Sequence, residues 1–192
     1  RSLGRHKPMT NNQQAIIILG AARSGTKFLR DVLAASEQVR KVPYDVSFIW
    51  RRGNEKWPDD ALPLSRLTPE IAKSISRGLD RVARPPKAKP PVFLLEKTVG
   101  NTVRVPFVEG VFPSAKYIHL IRDGRAVVES SWRMWHEPAE SSYLLKKLKD
   151  CFSISDLKYF FNYGQNLLKG RLKSGRAMNV WGVRYPGIEQ DV

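Results

Sequence analysis

The sequence predicts an α/β fold: a single domain in which helices flank a mainly parallel sheet. Short apolar runs typical of buried strands alternate with segments of helical spacing along most of the chain. A glycine-containing loop joins the first apolar run to the first helical segment. The 192 residues are enough for one domain with a real core, and the 42% apolar content is ordinary for a globular protein.

The first predicted strand, loop and helix occupy 15–36. Apolar residues 15–19 lead to Gly20, a small-residue loop follows at 21–25, and apolar residues from Thr26 onward have helical spacing. N–H groups in such a loop and in the first helical turn have no backbone partners, and the helix dipole favours negative charge there. The segment therefore predicts a phosphate cradle, the centre of a P-loop-like nucleotide-binding core.

The remaining elements are predicted in chain order. Residues 1–14 are expected to be a flexible N-terminal segment, and 15–192 to form the domain. A helix is expected from Pro69, with Thr68 as its cap, to about Arg84. Strands are predicted at 39–42, 92–95, 116–121 and 177–181, helices at 103–112, 125–135, 140–151 and 154–169, and loops at 43–67 and 84–91.

The residue types in the glycine loop indicate which anion it holds. Gly20 and Gly25 have the spacing of the nucleotide-triphosphate loop, but Thr26-Lys27 reverses the order of its last two residues. Arg23 lies inside the loop, and a guanidinium grips phosphate or sulfate oxygens two at a time. The loop is thus expected to hold a terminal phosphoryl or sulfuryl group through Arg23 and backbone amides, and no metal ligand is predicted. An ordinary strand–turn–helix joint is the plainer alternative.

A second candidate unit follows the strand predicted at 116–121. Arg122 lies at the carboxyl end of that strand, where ligands of open parallel sheets bind, and Ser130 falls in the next helix. A guanidinium and a hydroxyl there would hold one further phosphate together. The segment Glu96-Lys97-Thr98 ends another predicted strand and is a candidate for the same reason.

The net charge of +15 favours a polyanionic ligand or partner. Basic residues are spread along the chain without a recognition-helix or aromatic RNA-binding signature, so nucleic acid is not expected. No run approaches the roughly 20 apolar residues of a membrane span. The single cysteine, Cys151, excludes an internal disulfide, and we expect a reducing, cytoplasmic location.

Two motifs together resemble the sulfotransferases that use 3′-phosphoadenosine 5′-phosphosulfate (PAPS), in particular the bacterial-type domain. Residues 20–29, GAARSGTKFL, resemble the 5′-phosphosulfate loop, and 117–132, YIHLIRDGRAVVESSW, the 3′-phosphate motif. The segment WGVRYPG at 181–187 resembles a further element of bacterial members. The resemblance implies PAPS as sulfuryl donor and 3′-phosphoadenosine 5′-phosphate (PAP) as product.

The resemblance also implies roles for individual residues. Arg23 matches the cation on the 5′-phosphosulfate, and Arg122 and Ser130 match the 3′-phosphate pair. Lys97 resembles the lysine near the transferred sulfuryl group. Phe28 occupies the position of an adenine-stacking tryptophan. The residues that match the wrapping loop and its first helical turn are Ser24, Gly25, Thr26 and Lys27.

The general base is where the sequence departs most from the family pattern. Val99 stands where cytosolic members have a catalytic histidine. In the tyrosine branch a glutamate is the base, and counting from Arg23 reaches Tyr44, with Asp45 beside it. Asp45 is the first candidate base and Glu96 the second. The late Gly-x-x-Gly-x-x-Lys segment is not visible and the chain ends sooner than expected after 187, which is consistent with C-terminal truncation.

The predicted function is transfer of a sulfuryl group from PAPS to an acceptor hydroxyl or amine, without a metal. The basic surface favours an acidic glycan as acceptor. A nucleotide kinase or other P-loop NTPase is one alternative and requires ATP and Mg²⁺. A non-catalytic module that binds polyanions is the other, and it would leave the Arg122 and Ser130 unit unexplained.

Overall fold

A computed structural model describes residues 14–83 and 93–136 of the chain. The strands and helices predicted beyond 136 lie outside the described residues, as do the basic connection 84–91 and nearly all of the predicted flexible segment 1–14.

The described residues form an α/β fold with four parallel strands in the order β2-β3-β1-β4. The strands are β1 (Ala15–Leu19), β2 (Val39–Lys41), β3 (Phe93–Glu96) and β4 (Lys116–His119). Ile17 of β1 lies opposite Glu96 of β3 and Tyr117 of β4. The predicted α/β class and parallel sheet are confirmed, and so is the position of each described strand to within about two residues.

The described ranges contain five α-helices, of which the first four lie between the strands and the fifth follows β4. They are α1 (Thr26–Leu33), α2 (Ser47–Trp50), α3 (Pro69–Val82), α4 (Val105–Val111) and α5 (Gly124–His136), with 3₁₀ turns at Leu64–Arg66 and Val99–Val103. The predicted start of α3 is confirmed, because Thr68 Oγ1 accepts a hydrogen bond from Ile71 N at 3.3 Å. The region 43–67, predicted as loop, contains the short helix α2.

The hydrophobic core lies between the sheet and helices α2, α3 and α4. Trp50 is fully buried at the centre and meets Phe112 edge-on, with ring centroids 6.2 Å apart. Ile75 and Leu79 of α3 and Phe107 of α4 are also fully buried. This packing holds α2, α3 and α4 against the sheet. The loops that carry the candidate residues follow the carboxyl ends of the strands.

Candidate active site

The candidate site residues follow the carboxyl ends of all four described strands. In spatial order, Asp45 follows β2, Lys97 follows β3, the glycine loop with Arg23 follows β1, and Arg122 follows β4. Because the strands are parallel, these segments emerge at one edge of the sheet. The sheet order therefore brings together residues that are far apart in the sequence.

The glycine loop runs from β1 into α1 with little spare room. A Cβ on Gly20 would lie 2.7 Å from Thr26 Cγ2 and 2.9 Å from the Leu120 carbonyl oxygen, so glycine is needed where the loop begins beside the end of β4. Gly25 has a φ of +93° and immediately precedes α1. Thr26 is buried, and Ser24 Oγ donates to Ala21 O at 2.6 Å. Contacts within the loop therefore fix its conformation at the N-terminal end of α1.

Arg23 joins this loop to the second predicted unit. Its backbone has a φ of 66°, the left-handed region that a residue with a side chain rarely adopts. Its Nε donates to Ser130 Oγ at 3.0 Å, and its Nη1 approaches Met134 Sδ at 3.7 Å. Arg122 Nη1 donates to the carbonyl oxygen of Arg23 at 2.7 Å. The two motifs are therefore in direct contact, although Arg23 and Arg122 are 99 residues apart in the sequence and Arg23 and Ser130 are 107 apart.

The two remaining loop candidates face solvent in the described structure. Lys27 is exposed on the first turn of α1, and the Phe28 side chain is 76% exposed. An exposed aromatic ring beside a phosphate-type loop is available for stacking on a flat ligand, which is the role that the resemblance implies for Phe28.

Asp45 and Lys97 face each other across the ends of β2 and β3. Lys97 Nζ lies 3.6 Å from Asp45 Oδ2, and the same oxygen accepts a hydrogen bond from Val99 N at 2.9 Å. Ser47 Oγ donates to Asp45 Oδ1 at 3.4 Å. The Asp45 side chain is 27% exposed, so the carboxylate is held by donors and still reaches solvent.

Glu96 lies behind this pair and is completely buried. Its Oε1 accepts a hydrogen bond from Thr98 Oγ1, and its Oε2 accepts one from Asn101 Nδ2 at 2.8 Å. Thr98 Oγ1 in turn accepts from Val46 N at 3.1 Å. Burial raises the pKa of Glu96 to about 7, against the opposing effect of its Thr98 hydrogen bond. A carboxyl with no exposed surface does not reach an acceptor. Through Thr98, its contacts instead hold Val46, which follows Asp45, near the residue that follows Lys97.

Several functional-site neighbours were not anticipated from the sequence. Arg104 is 1% exposed; it donates to Asn101 Oδ1 at 2.9 Å and pairs with Asp60 at 3.5 Å. Arg30 is buried on α1 and donates to Pro43 O at 2.7 Å, which fixes the chain that leads to Asp45. In the sequence these arginines look like ordinary surface charges, and Arg30 lies outside the apolar positions of α1, so no local pattern predicts their burial.

Two findings concern metals and membranes. Among residues 14–83 and 93–136, no group of His, Cys, Asp and Glu side chains is arranged to hold a metal ion. Within the same ranges, no helix combines the length and apolar character that crossing a membrane requires.

Comparison with known proteins identifies the family. The model of the sulfotransferase family matches residues 15–191, nearly the whole chain. The chain therefore belongs to the sulfotransferase family, as the two motifs predicted, and its parallel sheet with a P-loop-like core fits that assignment.

The curated relatives are protein-tyrosine sulfotransferases. A putative protein-tyrosine sulfotransferase of Caenorhabditis briggsae is 29% identical over 128 residues, covering 64% of this chain and 44% of the relative. Protein-tyrosine sulfotransferase A of Caenorhabditis elegans is 27% identical over 60% of this chain and 32% of the relative. Protein-tyrosine sulfotransferase 1 of Rattus norvegicus is 25% identical over 74% and 40%. The chain thus spans less than half the length of each.

Proposed function

We propose that the protein transfers a sulfuryl group from PAPS to an acceptor hydroxyl or amine. The observation that carries this proposal is the contact of Arg23 with both Ser130 and Arg122, which joins the loop at β1 to the unit after β4. Family membership supports sulfuryl transfer over the nucleotide kinase alternative. The order Thr26-Lys27, which reverses the last two residues of the nucleotide-triphosphate loop, also favours sulfuryl transfer over that alternative.

The donor would be held at two anionic ends. The start of α1 and the loop amides would bind the 5′-phosphosulfate, except for the Ser24 amide, which donates to Ala21 O at 3.3 Å, and Arg23 would supply a guanidinium there. Arg122 and Ser130 would bind the 3′-phosphate, and Phe28 would stack on the adenine. The Ser130 hydroxyl accepts from Arg23 Nε, so its own O–H would be available to donate to the phosphate.

The proposed chemistry is direct in-line displacement at sulfur. Donor PAPS supplies an activated sulfuryl group, with PAP as the leaving product. Asp45 accepts the proton of the acceptor hydroxyl as the new S–O bond forms. Lys97 and Arg23 stabilise the charge that develops on the sulfuryl and bridging oxygens as the old S–O bond breaks. The 3.6 Å pair of Asp45 and Lys97 places a base and a cation side by side at the edge of the sheet.

Glu96 is proposed as a positioning residue and no longer as the second candidate base. It has no exposed surface, and it holds Thr98, whose hydroxyl binds the amide of Val46. Together with the Val99 amide on Asp45, these bonds tie the segment after β2 to the segment after β3. The distance between Asp45 and Lys97 therefore depends on Glu96.

The acceptor is proposed to be a hydroxyl-bearing molecule with negative charge. The net charge of +15 favours an acidic glycan, and the names of the relatives point to tyrosine in proteins as the other acceptor class. A cytoplasmic location and the absence of nucleic-acid binding are further predictions.

Substitution of each proposed catalytic residue in turn tests this chemistry. PAP release from PAPS is measured with an acidic tyrosine-containing peptide and, separately, with a uronic-acid polysaccharide. Asp45→Asn and Lys97→Ala are each expected to lower turnover by about 10²–10³-fold, because each removes a group that acts in the transition state. PAP affinity should change little in Asp45→Asn, which retains the side-chain shape.

Ser65→Ala is a suitable control, because Ser65 is exposed on the 3₁₀ turn Leu64–Arg66. Full turnover in both site variants, or no transfer to either acceptor by a wild-type protein that binds PAP, would contradict the proposed chemistry.

A further inference from the structure

A second strongly charged surface lies on α3, on residues for which neither the motifs nor the family roles provide a use. Here a groove of about 420 Å³ is lined by six residues of the helix and by Arg52, which follows α2. The four cations that line the groove are Arg52, Lys73, Arg77 and Arg81. We call this surface the α3 groove.

The cations of the α3 groove form a regular row. Lys73, Arg77 and Arg81 are spaced four residues apart on one helix, so they share a face and follow each other at about 6 Å intervals. All three are exposed. Within the described ranges, Lys73 and Arg77 have no carboxylate partner. The row therefore presents positive charge over about 12 Å.

Arg52 is fixed beside this row by a glycine. Its Nη1 donates to Ser74 O at 2.8 Å. A Cβ on Gly78 would lie 2.8 Å from Arg52 Cζ, so the guanidinium lies against the helix only because Gly78 has no side chain. Glycine inside a helix lowers stability by about 1 kcal/mol relative to alanine, and here it gives Arg52 its place in the groove.

The one carboxylate of the groove is engaged at the start of the helix. Glu70 is hydrogen-bonded to Thr68 and to its own backbone, and these bonds lower its pKa. Its charge is directed to the N-terminal end of α3, where the helix dipole favours it. Lys73 and Arg77 thus remain positive along the groove, with the negative group at one end.

We propose that the α3 groove binds a linear acidic polysaccharide. Repeated cations at 6 Å intervals match a chain with repeated carboxylate or sulfate groups better than a single small anion. Among the described residues that line the groove, no aromatic side chain offers a surface on which nucleic-acid bases would stack, and no large apolar side chain would enter a membrane. Ser74 adds a hydroxyl that suits the hydroxyl-rich backbone of a sugar polymer.

This proposal concerns binding alone and does not require sulfuryl transfer. If the proposed function is correct, the groove would give an acidic glycan acceptor a second point of attachment on the protein. Binding is therefore measured without PAPS, so that failure here and failure of the proposed chemistry give separate results.

The experiment compares two double variants by calorimetric binding of a heparin octasaccharide over a series of salt concentrations. Lys73→Ala/Arg77→Ala is expected to weaken binding about 10-fold or more. The slope of log K against log salt concentration should become shallower by about two, because about two fewer counterions are released. Lys56→Ala/Lys116→Ala removes the same charge from positions outside the groove and is expected to stay within about twofold of wild type. Both pairs are exposed, so circular dichroism should show both variants folded.

Two results would overturn the proposal. Equal weakening by the two double variants would mean that net charge alone, and not the α3 groove, attracts the polysaccharide. Tighter binding of single-stranded DNA, polyglutamate or anionic phospholipid vesicles than of the octasaccharide, with the same loss in Lys73→Ala/Arg77→Ala, would assign the groove to that other polymer or surface.

Discussion

Arg23 shows how one residue links backbone geometry to the proposed chemistry. Its φ of 66° is costly for a residue with a Cβ, by roughly 1–2 kcal/mol, yet it lets the guanidinium leave the loop toward α5. There the side chain meets Ser130, and the carbonyl of the same residue meets Arg122. The sequence predicted Arg23 as an anion ligand, but the left-handed backbone and the contact with Ser130 depend on the folded loop.

Glu96 illustrates what the sequence conceals at the residue scale. A carboxylate between an apolar strand and a lysine looks like a catalytic candidate, and no local pattern shows that Thr98, Asn101 and Trp50 close around it. The same holds for Arg104, whose burial follows from packing between distant segments. Charged residues are usually exposed, so a buried network of them can be found only from the fold.

Titration of Glu96 predicts a pH dependence of stability. The usual pKa of this carboxyl is 4.5, and burial raises it to about 7 in the folded protein; the neighbouring Asp45 charge also raises it, whereas Thr98, Trp50 and Arg104 lower it. Between these values the folded protein retains a proton that the unfolded chain has released. The contribution of Glu96 to the free energy of unfolding is therefore complete below about pH 4.5. It declines as the pH rises from there and is lost once the pH passes about 7.

Glu96→Gln should remove that decline, because the amide resembles the protonated acid and does not titrate. Urea unfolding of wild type and variant at about pH 5 and about pH 8 measures the effect, with Glu37→Gln as an exposed carboxyl control. The wild type should lose more stability than Glu96→Gln between the two pH values. Identical pH profiles for all three proteins would show that Glu96 does not titrate in this range.

At the scale of elements, prediction succeeded where local signals determine the structure. Helix α3 has a capping threonine, a proline at its first position and a regular apolar stripe, and it was placed almost to the residue. Helix α2 was missed because it has four residues and is held by the burial of Phe48, Ile49 and Trp50, which the core provides. Periodicity cannot reveal a helix of one turn.

The glycine loop gives a prediction at the same scale. Gly20→Ala would push a Cβ against Thr26 and the backbone of Leu120, and we expect it to lower the free energy of unfolding by about 1–3 kcal/mol. PAP binding should weaken with it, because the loop amides would be displaced. Thermal and urea unfolding measure the first effect and calorimetry the second.

Gly124→Ala is the matched control for that substitution. A Cβ at Gly124, the first residue of α5, would meet no atom within 4 Å. Stability should therefore stay the same or rise slightly, since alanine favours a helix. A loss equal to that of Gly20→Ala would show that close packing at the loop is not the cause.

For the molecule as a whole, sheet order is what assembles the site. Alternating strands and helices predicted a parallel sheet, but the order β2-β3-β1-β4 was not predicted, and it is this order that sets Lys97 and Arg122 on either side of the glycine loop. The net charge of +15 predicted an anionic ligand without saying where it binds. In the part of the chain that the structure describes, positive side chains gather at the edge of the sheet and in the α3 groove.

The measurement that tests the central proposal most directly is calorimetric binding of PAP, with ATP and Mg²⁺ titrated in parallel. Arg122→Ala should weaken PAP binding about 10–100-fold, as expected for loss of charge-assisted hydrogen bonds to a phosphate. Arg125→Ala, an exposed arginine at the start of α5, should bind PAP like wild type. Binding of ATP–Mg²⁺ in place of PAP, or PAP affinity unchanged by Arg122→Ala, would contradict the proposed donor site.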